Sequence, residues 1–194
     1  MPNPIVYQDD FEQKRRREII DGVITMMSPR PSVNHNRICL NIAVLFSNYL
    51  RGKPCVPFSD GVDLFLDEKN RFMPDFMAMC DPEKVHPDGV HGAPDLVVEV
   101  LSPSTAKNDR GLKKGAYGRC GVREYWIVNP EDKTVEVYLP AEGRLELHEV
   151  YALYPDWQLK QMTEEELAAL PKSFQCSLFH DLDILIEDIF YRTF

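Results

Sequence analysis

Ala93-Pro94-Asp95-Leu96-Val97-Val98-Glu99-Val100-Leu101-Ser102-Pro103 is the stretch from which the rest of the chain is read. Asp95 to Leu101 is apolar on both faces and bounded by prolines, the signature of a strand buried inside a sheet. Ser102 to Thr105 breaks this strand and opens a helix that runs to about Cys120, where Gly121 stops it. Arg123 to Asn129 is a second buried strand. A helix between two buried strands is a parallel crossover, so at least part of the sheet is parallel with a helix packed on it.

Upstream, Glu18 to Met26 reads as a β-hairpin, because Asp21-Gly22 is a two-residue turn between β-branched runs. Ser32 caps a helix reaching Leu50, with Ile38, Ile42, Leu45, Phe46 and Tyr49 at helical spacing. Val62 to Leu66 and Arg71 to Met79 read as two strands, and Cys80 to Pro94 as a loop rich in Pro, Gly, Asp and His. Downstream, Thr134 to Leu139 and Leu145 to Tyr151 form a meander. Thr163 and Glu166 have capping-box spacing, and Leu178 to Phe190 is an acidic, apolar tail. The order predicts an α/β fold: a central mixed sheet flanked by helices, with an N-terminal hairpin, in one domain over residues 1–194.

The 194 residues carry a net charge of −9, which argues against nucleic acid as a partner unless positive charge is gathered locally. It is gathered. Lys107, Arg110, Lys113, Lys114, Arg119 and Arg123 face only Asp109 and Glu124 between residues 105 and 125, whereas residues 156–190 hold eight acids against two lysines. Met1 to Asp10 lacks the pattern of a secretory leader, Gln13 to Arg17 reads as exposed and charged, and no run is long and apolar enough to span a membrane. The five scattered cysteines, with no C-x-x-C pair, read as buried thiols of a reducing, cytoplasmic compartment rather than as disulfides or a zinc site.

Two carboxylates stand out because their surroundings are apolar. Asp75 follows Pro74 among Phe72, Met73, Phe76 and Met77, and Glu99 lies inside Val97 to Leu101. A buried carboxylate is unfavourable unless it pairs with a cation or binds a metal. Two readings stay open: internal ion pairing for Glu99 with a surface-turn role for Asp75, or a shared Mg²⁺ or Mn²⁺ with oxygen ligands. Asp95 shares a strand face with Glu99 and is either an outer ligand or a strand-entry residue bonded to backbone. Asp109, Lys113 and Tyr117 share a helical face; Lys113 is either a surface partner of Asp109 or a cation aimed at the carboxylates. His35 opens the first helix. His86, His91, His148 and His180 form no metal motif. Ser102 and Ser104 read as turn and cap residues, and no phosphate loop, dinucleotide motif or nucleophile elbow is present.

The ordered string Met73-Pro-Asp-Phe76, Ala93 to Thr105, Asp109-Arg-Gly-Leu-Lys113 with Tyr117, and Gly121 to Val128 closely resembles the Uma-type family of restriction-endonuclease-like proteins. Glu18 to Gly22, His35 and Thr134 to Tyr138 fit the same pattern, so the resemblance spans about residues 9–190. It implies the PD-(D/E)XK nuclease superfamily fold and a Mg²⁺-dependent DNA endonuclease, commonly dimeric. In that pattern Asp75 and Glu99 hold the metal, and a lysine two residues beyond Glu99 assists. Here that position is Leu101, and Lys113 is the expected substitute, with His35 and Glu18 as further polar groups. The departure at Leu101, together with the acidic charge, keeps an alternative open: a non-catalytic, nucleic-acid-binding or assembly protein on the same fold.

Overall fold

The computed structural model describes residues 17–26 and 31–194. The expected leader-free N-terminus and the charged stretch from Gln13 to Arg16 lie outside the described residues. Among the described residues no helix is long and apolar enough to cross a membrane.

The hairpin forms where the turn signal places it. Strand β1 (Arg17–Ile20) pairs antiparallel with β2 (Val23–Met26), and Asp21 and Gly22 both take positive φ, as a tight two-residue turn requires. Helix α1 (Val33–Tyr49) starts at Ser32, whose hydroxyl accepts the backbone N–H of His35 at 3.1 Å, and it buries Ile38, Cys39, Ile42 and Phe46.

The expected 71–79 strand is two strands in different sheets: β5 (Asn70–Phe72) and β6 (Phe76–Met79). Pro74 explains the break. It has no N–H for a ladder, so the chain leaves one sheet at Met73 and enters the other at Phe76. The first sheet runs β2-β1-β5-β4-β8-β7, with β4 at Leu64–Asp67. Its last two strands, β7 (Val85–His86) and β8 (Gly89–His91), correct the reading of residues 80–94 as loop. They are too short to carry a detectable alternation. Gly89 is needed there, because a Cβ on it would lie 2.3 Å from the Asp63 carbonyl oxygen.

The second sheet runs β12-β11-β10-β9-β6-β3. Its centre is the predicted pair β9 (Leu96–Val100) and β10 (Glu124–Asn129), which are parallel. Antiparallel β6 and β3 (Val56–Ser59) complete one side, and the long hairpin β11 (Thr134–Ala141) and β12 (Arg144–Ala152) the other. The crossover between β9 and β10 is helical from Ala106 to Cys120: α2 (Ala106–Asn108) passes through a π-helical turn (Asp109–Lys113) into α3 (Lys114–Cys120), and Gly121 ends it at φ +92°.

Alternation along β9 and β10 separates two apolar layers. Leu96, Val98, Val100, Trp126 and Val128 pack with α1 and with Phe174, Phe179, Ile184, Ile186, Ile189 and Phe190 of the C-terminal segment. Val97, Tyr125 and Ile127 face Leu64 and Phe72 of the first sheet and Tyr117 of α3. Glu99 has the parity of Val97 and so points into this second layer. The tail holds α4 (Asp156–Leu159), α5 (Glu164–Ala169) with the expected Thr163–Glu166 capping box, a small β13–β14 hairpin (Ser173–Gln175 and Asp183–Leu185), and α6 (Ile186–Ile189).

One cysteine expectation is overturned. Cys55 and Cys80 form a disulfide across a separation of 25 residues. They flank the β3–β6 pairing, whose register brings Val56 opposite Met79. Two cysteines so far apart in sequence leave no motif, which is why their spacing suggested free thiols; the bond also removes the cysteine argument for a reducing compartment. Closing a loop of this length is worth about 3 kcal/mol by the chain-entropy relation. Urea unfolding of Cys55→Ser/Cys80→Ser is expected to show that loss relative to the oxidised wild type. Equal midpoints for the oxidised, reduced and double-serine forms would show that the bond adds no stability.

Candidate active site

The break at Pro74 builds the first half of the site. Pairing between β6 and β9 stops at Phe76 opposite Val98. On the other edge of β9, the Leu101 N–H goes to Val128 of β10, so the Val100 N–H points back toward the vacated β6 position. A buried donor there needs a partner. The Asp75 carboxylate supplies it, with Oδ2 accepting the Val100 N–H at 2.7 Å. Asp75 is therefore fastened to the strand that carries Glu99, and the surface-turn reading of Asp75 does not hold. The same Oδ2 lies 3.3 Å from His35 Nε2 in the first turn of α1, while His35 Nδ1 lies 3.5 Å from Cys39 Sγ one turn on. Burial disfavours a charged His35, but the hydrogen bond and negative charge of Asp75, helped by Asp60, outweigh it and hold the imidazole above its usual pKa.

The second half is a buried ionic cluster centred on Lys113. Its Nζ lies 2.7 Å from Glu99 Oε1, 3.0 Å from Glu18 Oε1 and 3.4 Å from Asp109 Oδ1. All four side chains are buried, so the reading of Lys113 and Asp109 as an ordinary surface pair is corrected: the helix turns this face into the second apolar layer. Tyr117 donates its hydroxyl to Glu99 Oε1 at 2.7 Å, and the Met73 N–H donates to Glu18 Oε1 at 3.1 Å. Tyr125 donates to the Asp109 carbonyl at 3.0 Å, anchoring the π-helical turn that presents Lys113. Such a turn inserts an extra residue into the helical ladder and re-aims the side chains around it.

Three carboxylates meet one ammonium, leaving an excess of two negative charges if all are ionised. Burial pushes the Glu99 carboxyl well above the usual range, with Asp109, Asp75 and Glu18 adding to the shift and Lys113 opposing it. Lys113 itself is held protonated: burial alone would favour the neutral amine, but the surrounding carboxylates more than offset that. Among the described residues, Asp109 Oδ1 is the buried side-chain polar atom without a hydrogen bond. A site short of positive charge, with hard oxygen donors on adjoining chain segments, suits a divalent cation. Among the described residues, the set of three His, Cys, Asp or Glu ligand atoms lying within 4.8 Å of one another is His35, Cys39 and Asp75; Glu99 is instead engaged by Lys113.

Asp95 lies apart from this cluster, accepting the Cys80 N–H at 2.8 Å and the Arg123 guanidinium at 3.1 Å, as the backbone-bonding reading expected. Arg119 meets Asp21 at 3.4 Å. The basic face loses Lys113 to the interior but keeps Lys107, Arg110, Arg119 and Arg123 at the surface. A groove lined by Ser32, Leu101, Ser102, Arg110 and Asn129 opens beside the end of β9. Two polar groups were not singled out for the site. Cys39 stands four residues after His35, a visible spacing. The role of Tyr117 as donor to Glu99 has no sequence signal beyond its shared face with Lys113.

The family described as "Uma2: Putative restriction endonuclease" matches residues 6–176. The chain belongs to this family. A curated relative, the uncharacterized protein slr1290 of Synechocystis sp., is 34% identical over 133 residues, covering 68% of this chain and 70% of that protein. A second Synechocystis protein, uncharacterized sll1609, is 27% identical over 135 residues, covering 68% of this chain and 76% of its own length. The crystal structure of "a putative nuclease belonging to DUF820" from Anabaena variabilis superposes with a TM-score of 0.68 at 20% identity, covering 96% of this chain and 98% of that one. The Uma2 assignment and the superposition give the chain a restriction-endonuclease-like core, as its motif string implied.

Proposed function

We propose that this Uma2 protein is a metal-dependent DNA endonuclease whose working groups are Asp75, Glu99 and Lys113. The observation that carries this reading is the contact between Lys113 Nζ and Glu99 Oε1 at 2.7 Å. A lysine from the crossover helix thereby meets the acidic residue whose strand offers only Leu101 where the superfamily has its lysine. Mg²⁺ or Mn²⁺, held by oxygens of Asp75 and Glu99, would supply Lewis acidity toward phosphate and lower the pKa of water. Lys113 stabilises negative charge developing on the scissile phosphate, and its ammonium is preorganised by Glu18, Glu99 and Asp109. Tyr117 orients Glu99 from behind. His35 orients Asp75 and keeps a proton available beside it. Lys107 and Arg119 of the crossover segment would track the DNA backbone, joined by Arg110 where phosphate displaces its ion-pair partner Glu136, and a homodimer would offer one site to each strand.

Calorimetric titration with Mg²⁺ and Mn²⁺ tests the ligand assignment. Binding by the wild type that disappears in Asp75→Asn/Glu99→Gln is expected. Equal binding by both proteins would overturn it.

A second reading is favoured by one feature. Lys113 is buried and already pairs with Glu99, so Glu99 has an internal cationic partner without a metal. On this reading the chain binds DNA without cutting it, and salt-sensitive DNA binding without Mg²⁺-dependent cleavage is its expected signature.

A further inference from the structure

We infer that His35, Cys39 and Asp75 form a binding site for a transition-metal ion of the zinc class. It is distinct in donor chemistry from the oxygen-only site above and does not depend on DNA hydrolysis. His35 and Cys39 are four residues apart on α1, which puts both on one helical face. Asp75, fixed by the Val100 N–H, approaches that face from the start of β6. The imidazole contacts both other groups, 3.5 Å from the thiol through Nδ1 and 3.3 Å from the carboxylate through Nε2, and a shared ion would use one of these two nitrogens.

The three ligand atoms lie within 4.8 Å of one another. Two bonds of roughly 2.0–2.3 Å to a shared zinc ion span at most about 4.6 Å, so small side-chain rotations close the set. Its chemistry is selective. A thiolate and an imidazole disfavour Mg²⁺ and favour Zn²⁺, Co²⁺ or Cu²⁺. Three protein ligands leave a fourth position for water or another small ligand, the pattern of an open zinc site. All three side chains are largely buried, and Cys39 is 8% exposed, so a bound ion would be largely shielded by protein. On binding, the Cys39 S–H bond breaks and the sulfur bonds to the metal, the ion's charge offsetting the burial and neighbouring acids that push this thiol up, and the fraction of His35 held protonated by Asp75 gives up its ring proton as well; both protons leave to buffer. Asp75 is common to this set and to the proposed Mg²⁺ pair, so occupancy here would govern that carboxylate's availability to the nuclease.

Cobalt(II) reports on the site directly, because thiolate ligation gives a near-ultraviolet charge-transfer band and four-coordinate Co²⁺ absorbs strongly in the visible. Titrating the oxidised full chain with Co²⁺ is expected to produce both, with release of about one to two protons per ion, from Cys39 and from the protonated fraction of His35, and displacement by equimolar Zn²⁺. Cys39→Ser is expected to abolish the charge-transfer band, and His35→Gln to weaken binding by more than about tenfold; circular dichroism would verify that both variants fold. Glu99→Gln is expected to keep the band, which separates this site from the Mg²⁺ reading: the nuclease assignment can fail while the cobalt spectrum survives. Absence of a charge-transfer band in the wild type, or its persistence in Cys39→Ser, would overturn the inference. The latter outcome would point to Cys120 or Cys176, the other free thiols among the described residues.

Discussion

Lys113→Met is expected to destabilise the fold by about 3–5 kcal/mol, the penalty for removing one partner from a buried ionic cluster. At this chain length that lowers the melting temperature on the order of 10 °C. Methionine matches the lysine stem in length, so the loss comes from charge rather than from a cavity. Glu18, Glu99 and Asp109 would face one another in the second apolar layer with no internal cation. Two compensations follow from the same electrostatics. Glu99→Gln in the Lys113→Met background removes one of the stranded charges and is expected to recover part of the stability. Millimolar Mg²⁺ is expected to recover part of it too, if Asp75 and Glu99 take the ion. Thermal melts of the two variants with and without Mg²⁺ measure all of this. A Lys113→Met protein within about 0.5 kcal/mol of wild type, the range of an ordinary surface substitution, would mean that the cluster is not formed in solution.

Glu99→Gln alone is expected to separate stability from activity. The amide oxygen still accepts from Tyr117 and Lys113, so the hydrogen bonds at 2.7 Å have a partner. A buried carboxyl that burial and the neighbouring acids already hold well above its usual range is replaced by a neutral amide, and folding stability is expected to hold or rise. Cleavage of DNA in the presence of Mg²⁺ or Mn²⁺ is expected to fall to the level of a no-protein control, because the neutral amide is a poor ligand for a hard dication. A panel of supercoiled, linear and single-stranded DNA, with RNA alongside, measures this against wild type. Metal-dependent cleavage that survives in Glu99→Gln would remove Glu99 from the proposed chemistry. A wild type that binds these substrates in a salt-sensitive way without cutting them would favour the non-catalytic reading, while the stability result would still stand. Opposite effects on stability and activity are what a site that concentrates like charge should show.

The sequence by itself determined the elements that obey a simple period or a turn rule. β9 and β10 were legible because strands buried on both faces are continuous apolar runs, and their parallel pairing followed from the helix between them. The Asp21-Gly22 turn, the Ser32 cap, the Gly121 stop and the Thr163–Glu166 box were legible because each is fixed by residues a few positions apart. Asp75 and Glu99 were legible as anomalies, carboxylates within apolar runs.

Tertiary structure decided everything that joins distant segments. Whether Lys113 is a surface lysine or the partner of Glu99 depends on which way the crossover helix faces, and that is set by packing and by a π-helical turn with no local signature. The capture of Asp75 by the Val100 N–H depends on where the β6–β9 ladder ends, a property of how the two strands pair after Pro74. The Cys55–Cys80 bond depends on the register between β3 and β6. The meeting of His35, Cys39 and Asp75 needs a helix and a strand crossover separated by more than thirty residues. Burial, register and helix orientation arise from contacts between segments, and periodicity within a segment carries no information about them.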